Sequence, residues 1–306
     1  MNRPLLFNLG IEEDLFHSVA AGLDGEIGDV DVRRFPDGET YIRFNVECAQ
    51  RPTILACSLD RPDPKTLPLL FAADTLRDLG AANIGLVAPY LAYMRQDKRF
   101  HAGEGITSRY YAALLSRTFD WLVTVDPHLH RFHEMGQIYS IPARVAHAAP
   151  GVAHWIRDHV ASPVLIGPDS ESRQWVDDVA GRAGAPFVVL SKQRRGDRTV
   201  EISIPDIERY SDATPVLVDD IISTGQTMAA TIHHLNQLGT APPVCVGVHA
   251  IFAEGAEQAL APAATIATCN TVSHPSNQID VTEPILEAIQ TLNYGVRVKG
   301  QSKGPE

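Results

Sequence analysis

The sequence predicts an α/β protein with two tandem domains, each a mostly parallel sheet flanked by helices. The first observation is that short apolar segments, typical of buried parallel strands, alternate with segments of helical periodicity. The second is that this pattern begins afresh around residues 143–149, which divides the chain into domains at residues 1–145 and 146–306. The third is length, because 306 residues can form two domains with sizeable cores.

Composition excludes several classes of protein. A hydrophobic content of 44% and a charged content of 21% are typical of a soluble globular protein. The net charge of −11 argues against a general nucleic-acid binder, although local loops can still hold an anionic substrate. Cysteines 48, 57, 245 and 269 have neither zinc spacing nor a disulfide framework, so we expect reduced core thiols and a cytoplasmic protein. Neither a signal peptide nor an apolar run of membrane-spanning length is found, so we expect no membrane partner.

The first domain is predicted to contain strands at residues 5–9, 29–34, 41–46, 53–57, 83–88 and 120–125, and helices at residues 12–21, 67–79 and 107–117. The second and third strands alternate as the arms of a hairpin do. Proline and glycine account for the turn Phe35-Pro36-Asp37-Gly38-Glu39 without any function. The functional alternative is an exposed hairpin on which Phe35 stacks on a base while Asp37 or Glu39 accepts hydrogen bonds from it.

Cations follow the strand at residues 83–88. The segment from Pro89 to Arg99 carries Arg95 and Lys98 beyond the carboxyl end of a strand, where α/β sheets bind ligands. Arg95 could bind a polyphosphate through paired hydrogen bonds, and Lys98 could bind it as a point charge. A solvated charged loop is the alternative, and the segment by itself does not decide between the two.

Three histidines follow the strand at residues 120–125. His128, His130 and His133 lie within six residues, but no further cysteine or glutamate supports a closed zinc site. We interpret one of them as a residue near a magnesium–nucleotide and favour His128, because it is closest to the strand end. The other two are assigned to the surface or to packing.

The second domain is predicted to contain strands at residues 164–167, 187–190, 216–218, 244–250 and 265–267, and helices at residues 154–159, 173–183, 228–238 and 283–292. Asp169 follows the first of these strands, where a carboxylate can bind hydrated Mg²⁺ or a ribose hydroxyl, or cap a helix. The segment from Ser191 to Arg198 has four cations in seven residues around Gly196. It is either a loop able to close over phosphates or a solvated basic loop.

The stretch PVLVDDIISTGQTMA, from Pro215 to Ala229, has the most informative pattern in the chain. An apolar strand leads into the carboxylates of Asp219 and Asp220, and small hydroxylated residues then open a helix. Unpaired amides at a helix start, together with a turn permitted by Gly225, form a concavity that binds anions. The amides suit a phosphate monoester and the aspartates suit vicinal hydroxyls, so a sugar phosphate would satisfy both. A strand, an acidic turn and a Ser/Thr helix cap without a ligand is the alternative.

This stretch closely resembles the phosphoribosyl diphosphate loop of type I phosphoribosyltransferases and of ribose-phosphate pyrophosphokinases, and it does not by itself choose between them. Over about residues 4–295 the chain resembles the ribose-phosphate pyrophosphokinase family. Six segments follow the order and spacing of that family: RFPDGETYIRF, YMRQDKRF, TVDPHLH, IGPDSES, SKQR and VDDIISTGQT. The resemblance implies two phosphoribosyltransferase-like domains, ATP as diphosphate donor, Mg²⁺, and a homo-oligomer that is a hexamer or is built from dimers.

The same resemblance implies roles for individual residues. Adenine contacts, made from a neighbouring subunit, fall on Phe35, Asp37 and Glu39, and ATP contacts fall on Arg95, Gln96 and Asp97. The residues implied for metal–triphosphate and pentose are His128 and Asp169, and both are candidate metal ligands. The cations implied to stabilise the transition state are Lys192 and Arg194. The ribose hydroxyls are assigned to Asp219 and Asp220, and the 5-phosphate to Ser223, Thr224, Gly225, Gln226 and Thr227.

The chain departs from the family pattern in two places. Ser170-Glu171-Ser172 adds an acid near the site, and residues 100–105 (FHAGEG) replace a more basic segment of the commonest bacterial members. The second departure is closer to the archaeal type and leaves the response to ADP or phosphate open. We expect an enzyme that transfers the diphosphoryl group of MgATP to the C1 hydroxyl of ribose 5-phosphate. The rivals are a phosphoribosyltransferase and an inactive regulatory subunit.

Overall fold

The computed structural model describes residues 3–129, 131–132, 134–170, 172–195, 199–203 and 207–292, of which residues 191–195 and 199–203 are described by backbone alone. Residues 3–146 and 281–292 form one compact unit, and residues 147–280 form a second. Each unit has an α/β fold with a parallel sheet flanked by helices, so the predicted fold class is confirmed. In the described part of the chain no helix is long and apolar enough to cross a membrane.

The first unit begins with these elements in chain order: β1 (Leu5–Asn8), α1 (Glu13–Gly22), β2 (Glu26–Ile27), β3 (Val30–Arg34), β4 (Thr40–Phe44), β5 (Pro52–Ala56), α2 (Asp63–Asp78), β6 (Asn83–Ala88), α3 (Thr107–Thr118), β7 (Trp121–Val125) and β8 (Ala143–Ala146). Six strands form a parallel sheet in the order β2-β1-β5-β6-β7-β8. The other two strands form the predicted antiparallel hairpin.

Burial explains why the inner strands are apolar. Every residue of β5 and β7 is buried, as expected where helices cover both faces of a parallel sheet. Gly85 of β6 lies opposite Trp121 of β7, and a Cβ there would stand 2.0 Å from the indole, so only glycine fits. All four cysteines of the chain are buried and free, as predicted for core thiols. Burial raises the pKa of the Cys57 thiol to about 12, which keeps it inert.

The second unit contains these elements: α4 (Ala149–His159), β9 (Pro163–Gly167), α5 (Arg173–Ala183), β10 (Phe187–Val189), β11 (Ser191–Arg195), β12 (Thr199–Ser203), β13 (Thr214–Ile222), α6 (Gln226–Gln237), β14 (Val244–Ala250), α7 (Ala256–Leu260), β15 (Thr265–Cys269) and β16 (Asn277–Ile279). Its parallel sheet has the order β10-β9-β13-β14-β15-β16, and β11 pairs with β12 as an antiparallel hairpin. Strand for strand this is the topology of the first unit, with a hairpin at the corresponding point of the chain.

One predicted loop is a strand. The sequence analysis predicted a loop at residues 191–198, where the sequence SKQRR is polar. In the structure, residues 191–195 form β11 and pair with β12. A two-stranded hairpin is held by its own backbone hydrogen bonds, so it does not need the alternating apolar residues by which a strand is recognised from sequence.

The last described helix, α8 (Thr282–Gln290), belongs to the first unit rather than to the second domain where the sequence analysis placed it. It contacts α1, β7 and β8, and its apolar face is buried at Ile285, Leu286 and Ile289. The side chain of Leu286 lies against Gly22 at the end of α1, where a Cβ would stand 2.4 Å away. The chain therefore returns to its first unit after completing the second.

Candidate active site

The paired carboxylates lie inside a strand rather than after one. Strand β13 continues through Asp219 and Asp220 to Ile222, because it keeps pairing with β14 as far as Ala250. Ser223 and Thr224 then turn the chain into α6, which begins at Gln226. The residue before this helix is Gly225, so the Ser/Thr cap considered from the sequence is not the cap that forms.

Gly225 is required at this turn for two reasons. Its φ of +67° lies in the left-handed region, and a Cβ would stand 3.2 Å from Cγ of Leu260 in α7. No side chain caps α6, and its first turn contains no acidic residue. The first amides of the helix point away from it with the positive end of the helix dipole, so this end can accept an anion.

Asp219 is a residue of the candidate site whose pKa is clearly shifted. Its Oδ1 accepts a hydrogen bond from the Asp220 amide at 2.9 Å. Burial, reinforced by the neighbouring charge of Asp220 and more weakly by that of Asp169, raises the pKa of Asp219 to about 8. Asp169 follows β9, the neighbour of β13 in the sheet, and is near enough for its charge to contribute to this shift. Repelling oxygen donors of this kind fit hydrated Mg²⁺ or the hydroxyls of a sugar.

Asp169 has a structural task as well. Its Oδ1 accepts the Ser172 amide at 3.1 Å, and the Ser172 hydroxyl donates to the Asp169 carbonyl at 2.8 Å. These bonds close the turn that leads into α5, but the residue at the cap position is Ser172 and no described side chain caps the helix. Among the described residues, no three histidine, cysteine, aspartate or glutamate side chains form a ready metal site. The roles of His128 and Asp169 as magnesium ligands therefore stay predictions.

The loop after β14 supports the turn before α6 from beside it. The amides of Ile251 and Phe252 donate to the Ile222 carbonyl, and the Ala253 amide donates to the Ser223 carbonyl at 2.9 Å. Phe252 has a strained φ of +24° and its ring stacks on His274 at 4.3 Å. Sequence reasoning missed this support, since nothing in the local sequence pairs an aromatic residue with a histidine 22 positions later.

The predicted hairpin is present in the first unit and its tip is exposed. Phe35 keeps 40% of its surface accessible. The Phe35 amide donates to the Glu39 carbonyl at 2.8 Å, and Asp37 Oδ1 accepts the Glu39 amide at 3.2 Å, so the turn is well ordered by its own bonds. The guanidinium of Arg33 lies 4.1 Å from the ring centre of Tyr41 and 5.1 Å from that of Phe35. An exposed aromatic side chain in this setting can stack on a base.

The segment that carries Arg95, Gln96 and Asp97 follows β6 and is fixed from both sides. Before it, Tyr93 adopts a left-handed φ of +60°, donates its phenol proton to Asp63 and packs on Tyr111 at 4.7 Å. Within it, the Thr107 hydroxyl donates to Gln96 Oε1 at 3.1 Å. The Arg95 side chain is exposed, whereas the Asp97 carboxylate is nearly buried and lies 3.5 Å from Nε of Arg131.

His128 is placed at the same edge of the first sheet. It follows β7, the neighbour of β6, and is partly buried. Asp126, which turns the chain out of β7, has a φ of +28°, so the backbone is strained where the loop begins. His130 and His133, assigned to the surface or to packing, lie outside the described residues.

The predicted cations Lys192 and Arg194 both lie on β11. Their backbones pair with Ile202 and Val200 of β12, in the hairpin of the second unit. The structure thus places them two residues apart on one strand. The side chains of Lys192 and Arg194, and the whole of Glu171, lie outside the described part of the chain. The predicted role of the two cations therefore stays a prediction.

Comparison with known proteins bears on both units. Residues 5–118 match the family profile for the N-terminal domain of ribose phosphate pyrophosphokinase, and residues 134–285 match the phosphoribosyl transferase domain. The ribose-phosphate pyrophosphokinase of Methanopyrus kandleri is 30% identical over 281 residues, which cover 90% of this chain and 94% of the relative. That of Sulfolobus acidocaldarius is 32% identical over 265 residues, which cover 83% of this chain and 89% of the relative.

A solved structure supports the same fold. The phosphoribosylpyrophosphate synthetase from Mycobacterium smegmatis matches with a TM-score of 0.82 and 24% identity, over 95% of this chain and 99% of that one. The paired domain profiles and the curated relatives agree with the six sequence segments. The chain therefore belongs to the ribose-phosphate pyrophosphokinase family.

Proposed function

We propose that the protein transfers the diphosphoryl group of MgATP to the C1 hydroxyl of ribose 5-phosphate, which yields phosphoribosyl diphosphate and AMP. The observation that carries this proposal is that one chain contains features suited to a sugar phosphate and features suited to a nucleotide. The second unit offers an anion-accepting helix start beside two carboxylates, and the first offers an exposed aromatic hairpin and the segment of Arg95. A phosphoribosyltransferase would use only the second unit's site.

On the sugar side, the first-turn amides of α6 and the hydroxyls of Ser223, Thr224 and Thr227 bind the 5-phosphate. Asp219 and Asp220 accept hydrogen bonds from the ribose hydroxyls. The raised pKa of Asp219 supports this assignment, because a carboxylate crowded by other acids gains from a donor or a cation that neutralises the repulsion.

On the nucleotide side, Phe35 stacks on adenine while Asp37 and Glu39 accept its hydrogen bonds. Arg95, Gln96 and Asp97 bind the rest of ATP, and His128 lies near the metal–triphosphate. The exposed ring of Phe35 supports this, since a ring that is 40% accessible at a hairpin tip can take a base as its stacking partner. If that partner is the base bound to a neighbouring chain, the protein acts as a homo-oligomer. We also propose a cytoplasmic location, which the four buried free thiols favour.

In the reaction, the C1 hydroxyl oxygen bonds to the β-phosphorus, the bond between that phosphorus and the oxygen of the α-phosphate breaks, and the hydroxyl proton leaves to solvent. Catalysis consists mainly of positioning and charge neutralisation. Lys192 and Arg194 neutralise charge on the transferring group and on departing AMP. Mg²⁺ would add its positive charge to the phosphates, and His128 in the first unit and Asp169 in the second are separate candidate ligands for it.

The test is purified protein with MgATP and ribose 5-phosphate, assayed for nucleotide and sugar products. We expect AMP and phosphoribosyl diphosphate in equal amounts, without ADP. ADP as the main product would indicate transfer of the γ-phosphoryl group and would refute the proposal. Synthesis of a nucleotide from phosphoribosyl diphosphate and a free base would favour the phosphoribosyltransferase, and binding of both substrates without turnover would favour the regulatory subunit.

A further inference from the structure

Asp97 is a nearly buried acid in an otherwise accessible segment. Its side chain is 8% exposed, whereas Arg95 and Arg99 on either side are exposed. A carboxylate with so little water around it requires a counter-charge. Arg131 supplies one, since its Nε lies 3.5 Å from Asp97 Oδ1 and its own side chain is half exposed.

The pair joins two separate loops. Asp97 lies in the loop after β6, and Arg131 lies in the loop after β7. These strands are neighbours, with Ala88 opposite Thr124, so both loops leave the same edge of the sheet. One loop carries the segment proposed to bind ATP, and the other carries His128. The Asp97–Arg131 ion pair therefore links them, in addition to the hydrogen bond from the Val125 amide to the Pro89 carbonyl at 3.2 Å.

The remaining anchors of the first loop act within it or on neighbouring helices. Gln96 is bonded to Thr107 and to the Ser108 amide of α3, and Tyr93 is bonded to Asp63 of α2. These contacts fix the loop relative to the helices. Arg131 makes the described ion pair that spans the two loops.

We propose that Arg131 is a positioning residue for nucleotide binding, which holds the Asp97 carboxylate and through it aligns Arg95 and Gln96 with His128. This rests on the proposed function, because the nucleotide is its ligand. The half-exposed guanidinium could instead touch the triphosphate directly, and the two mechanisms differ in their coupling. A positioning residue loses its effect when Asp97 is neutralised, whereas a residue that binds ATP keeps its effect.

The experiment is a double-mutant cycle with Arg131→Ala, Asp97→Asn and the double variant. Dissociation constants for MgATP and for ribose 5-phosphate are measured by calorimetry, together with the thermal midpoint. We expect Arg131→Ala to weaken MgATP binding about tenfold in the parent. In the Asp97→Asn background the same change should have less than about a twofold effect, and ribose 5-phosphate binding should stay unchanged. Arg131→Lys should restore part of the affinity, since it keeps the charge but not the planar guanidinium.

The matched control is Arg77→Ala. Arg77 lies 3.7 Å from Asp120 and is about as exposed as Arg131, but this pair is at the amino-terminal edge of the same sheet. It should cost stability without changing either dissociation constant. Additive effects of Arg131→Ala and Asp97→Asn on MgATP binding would overturn the proposal, as would unchanged affinity in Arg131→Ala. If the parent binds no MgATP, the proposed function fails. In that case non-additive changes in thermal midpoint between Arg131→Ala and Asp97→Asn would support the ion pair. Additive changes in thermal midpoint would overturn the ion pair too.

Discussion

Replacing Asp219 by asparagine should stabilise the second unit at pH 8 and leave its stability nearly unchanged at pH 4. Burial and the charges of Asp220 and Asp169 raise the pKa of Asp219 to about 8 in the folded protein, whereas in the unfolded chain it is about 3.9. The folded state thus retains a proton that the unfolded state releases between these values. The free energy of unfolding therefore falls as the pH rises from about 4 to about 8. Asparagine cannot ionise, so this loss disappears.

The size of the effect follows from the shift. One pKa unit corresponds to about 1.4 kcal/mol, so the full shift sets an upper bound of about 6 kcal/mol. Because the side chain keeps some contact with solvent, we expect roughly 1–2 kcal/mol at pH 8. For a domain of this size that corresponds to a gain of about 2–8 °C in the thermal midpoint. Asparagine also keeps an oxygen that can accept the Asp220 amide, so the turn should survive.

The assay is calorimetric unfolding of parent and variant at pH 4 and pH 8, without Mg²⁺ or substrate. The control is Asp178→Asn on α5 of the same unit, whose carboxylate is half exposed and paired with Arg182 at 2.9 Å. That variant should be neutral or slightly less stable at pH 8. A lower midpoint for Asp219→Asn at pH 8 would refute the reasoning, because it would mean that the native state favours the ionised carboxylate. The same variant should bind ribose 5-phosphate more weakly, as expected where function opposes stability.

Four further outcomes are expected. Asp220→Ala should weaken ribose 5-phosphate binding by an amount worth roughly 1.5–3 kcal/mol and spare MgATP binding, and an equal loss for both ligands would contradict our division of the site. Phe35→Ala should raise the KM for ATP with little change in thermal midpoint. A lower thermal midpoint with an unchanged KM would instead indicate that the ring has a structural role. Alanine at Lys192 or Arg194 should lower kcat by about 10²-fold or more while substrate dissociation constants move far less; turnover within a few-fold of the parent would remove both from the mechanism. Calorimetry should find one ribose 5-phosphate per chain.

The sequence was informative wherever burial dictates residue type. Strands β6 and β14 begin and end at the predicted residues, because each is a buried and mostly apolar run with a proline at one end, Pro89 after β6 and Pro243 before β14. Helix α2 begins at Asp63 rather than at residue 67 as predicted, and Pro64 fits in its first turn because a proline there lacks only an amide that has no intrahelical partner. The apolar periodicity of α8 predicted a helix correctly, but it carries no information on which sheet the helix covers.

In the candidate site, too, local features could be predicted from the sequence and long-range contacts could not. Residues whose chemistry is local, such as Gly225 and the aspartates of β13, could be found from sequence because the turn and the strand impose a fixed order. Arg131 and Phe252 could not, since their partners lie 34 and 22 positions away and meet them only through the sheet. Such contacts arise from tertiary packing, which a single sequence does not specify.

The expectation of one sugar phosphate per chain rests on a chemical difference between equivalent helices. Helix α2 follows β5 as α6 follows β13, at the same place in sheets of the same order. At the start of α2, Asp63 puts a negative charge where a phosphate would bind, and Pro64 lacks an amide. The nearby Lys65 is already held by the Ser58 carbonyl at 2.8 Å and by Asp60. Because α6 has neither an acid nor a proline in its first turn, it is α6, of these two equivalent helices, that keeps the electrostatics that a phosphate needs, and two equivalents of bound ribose 5-phosphate would contradict this argument.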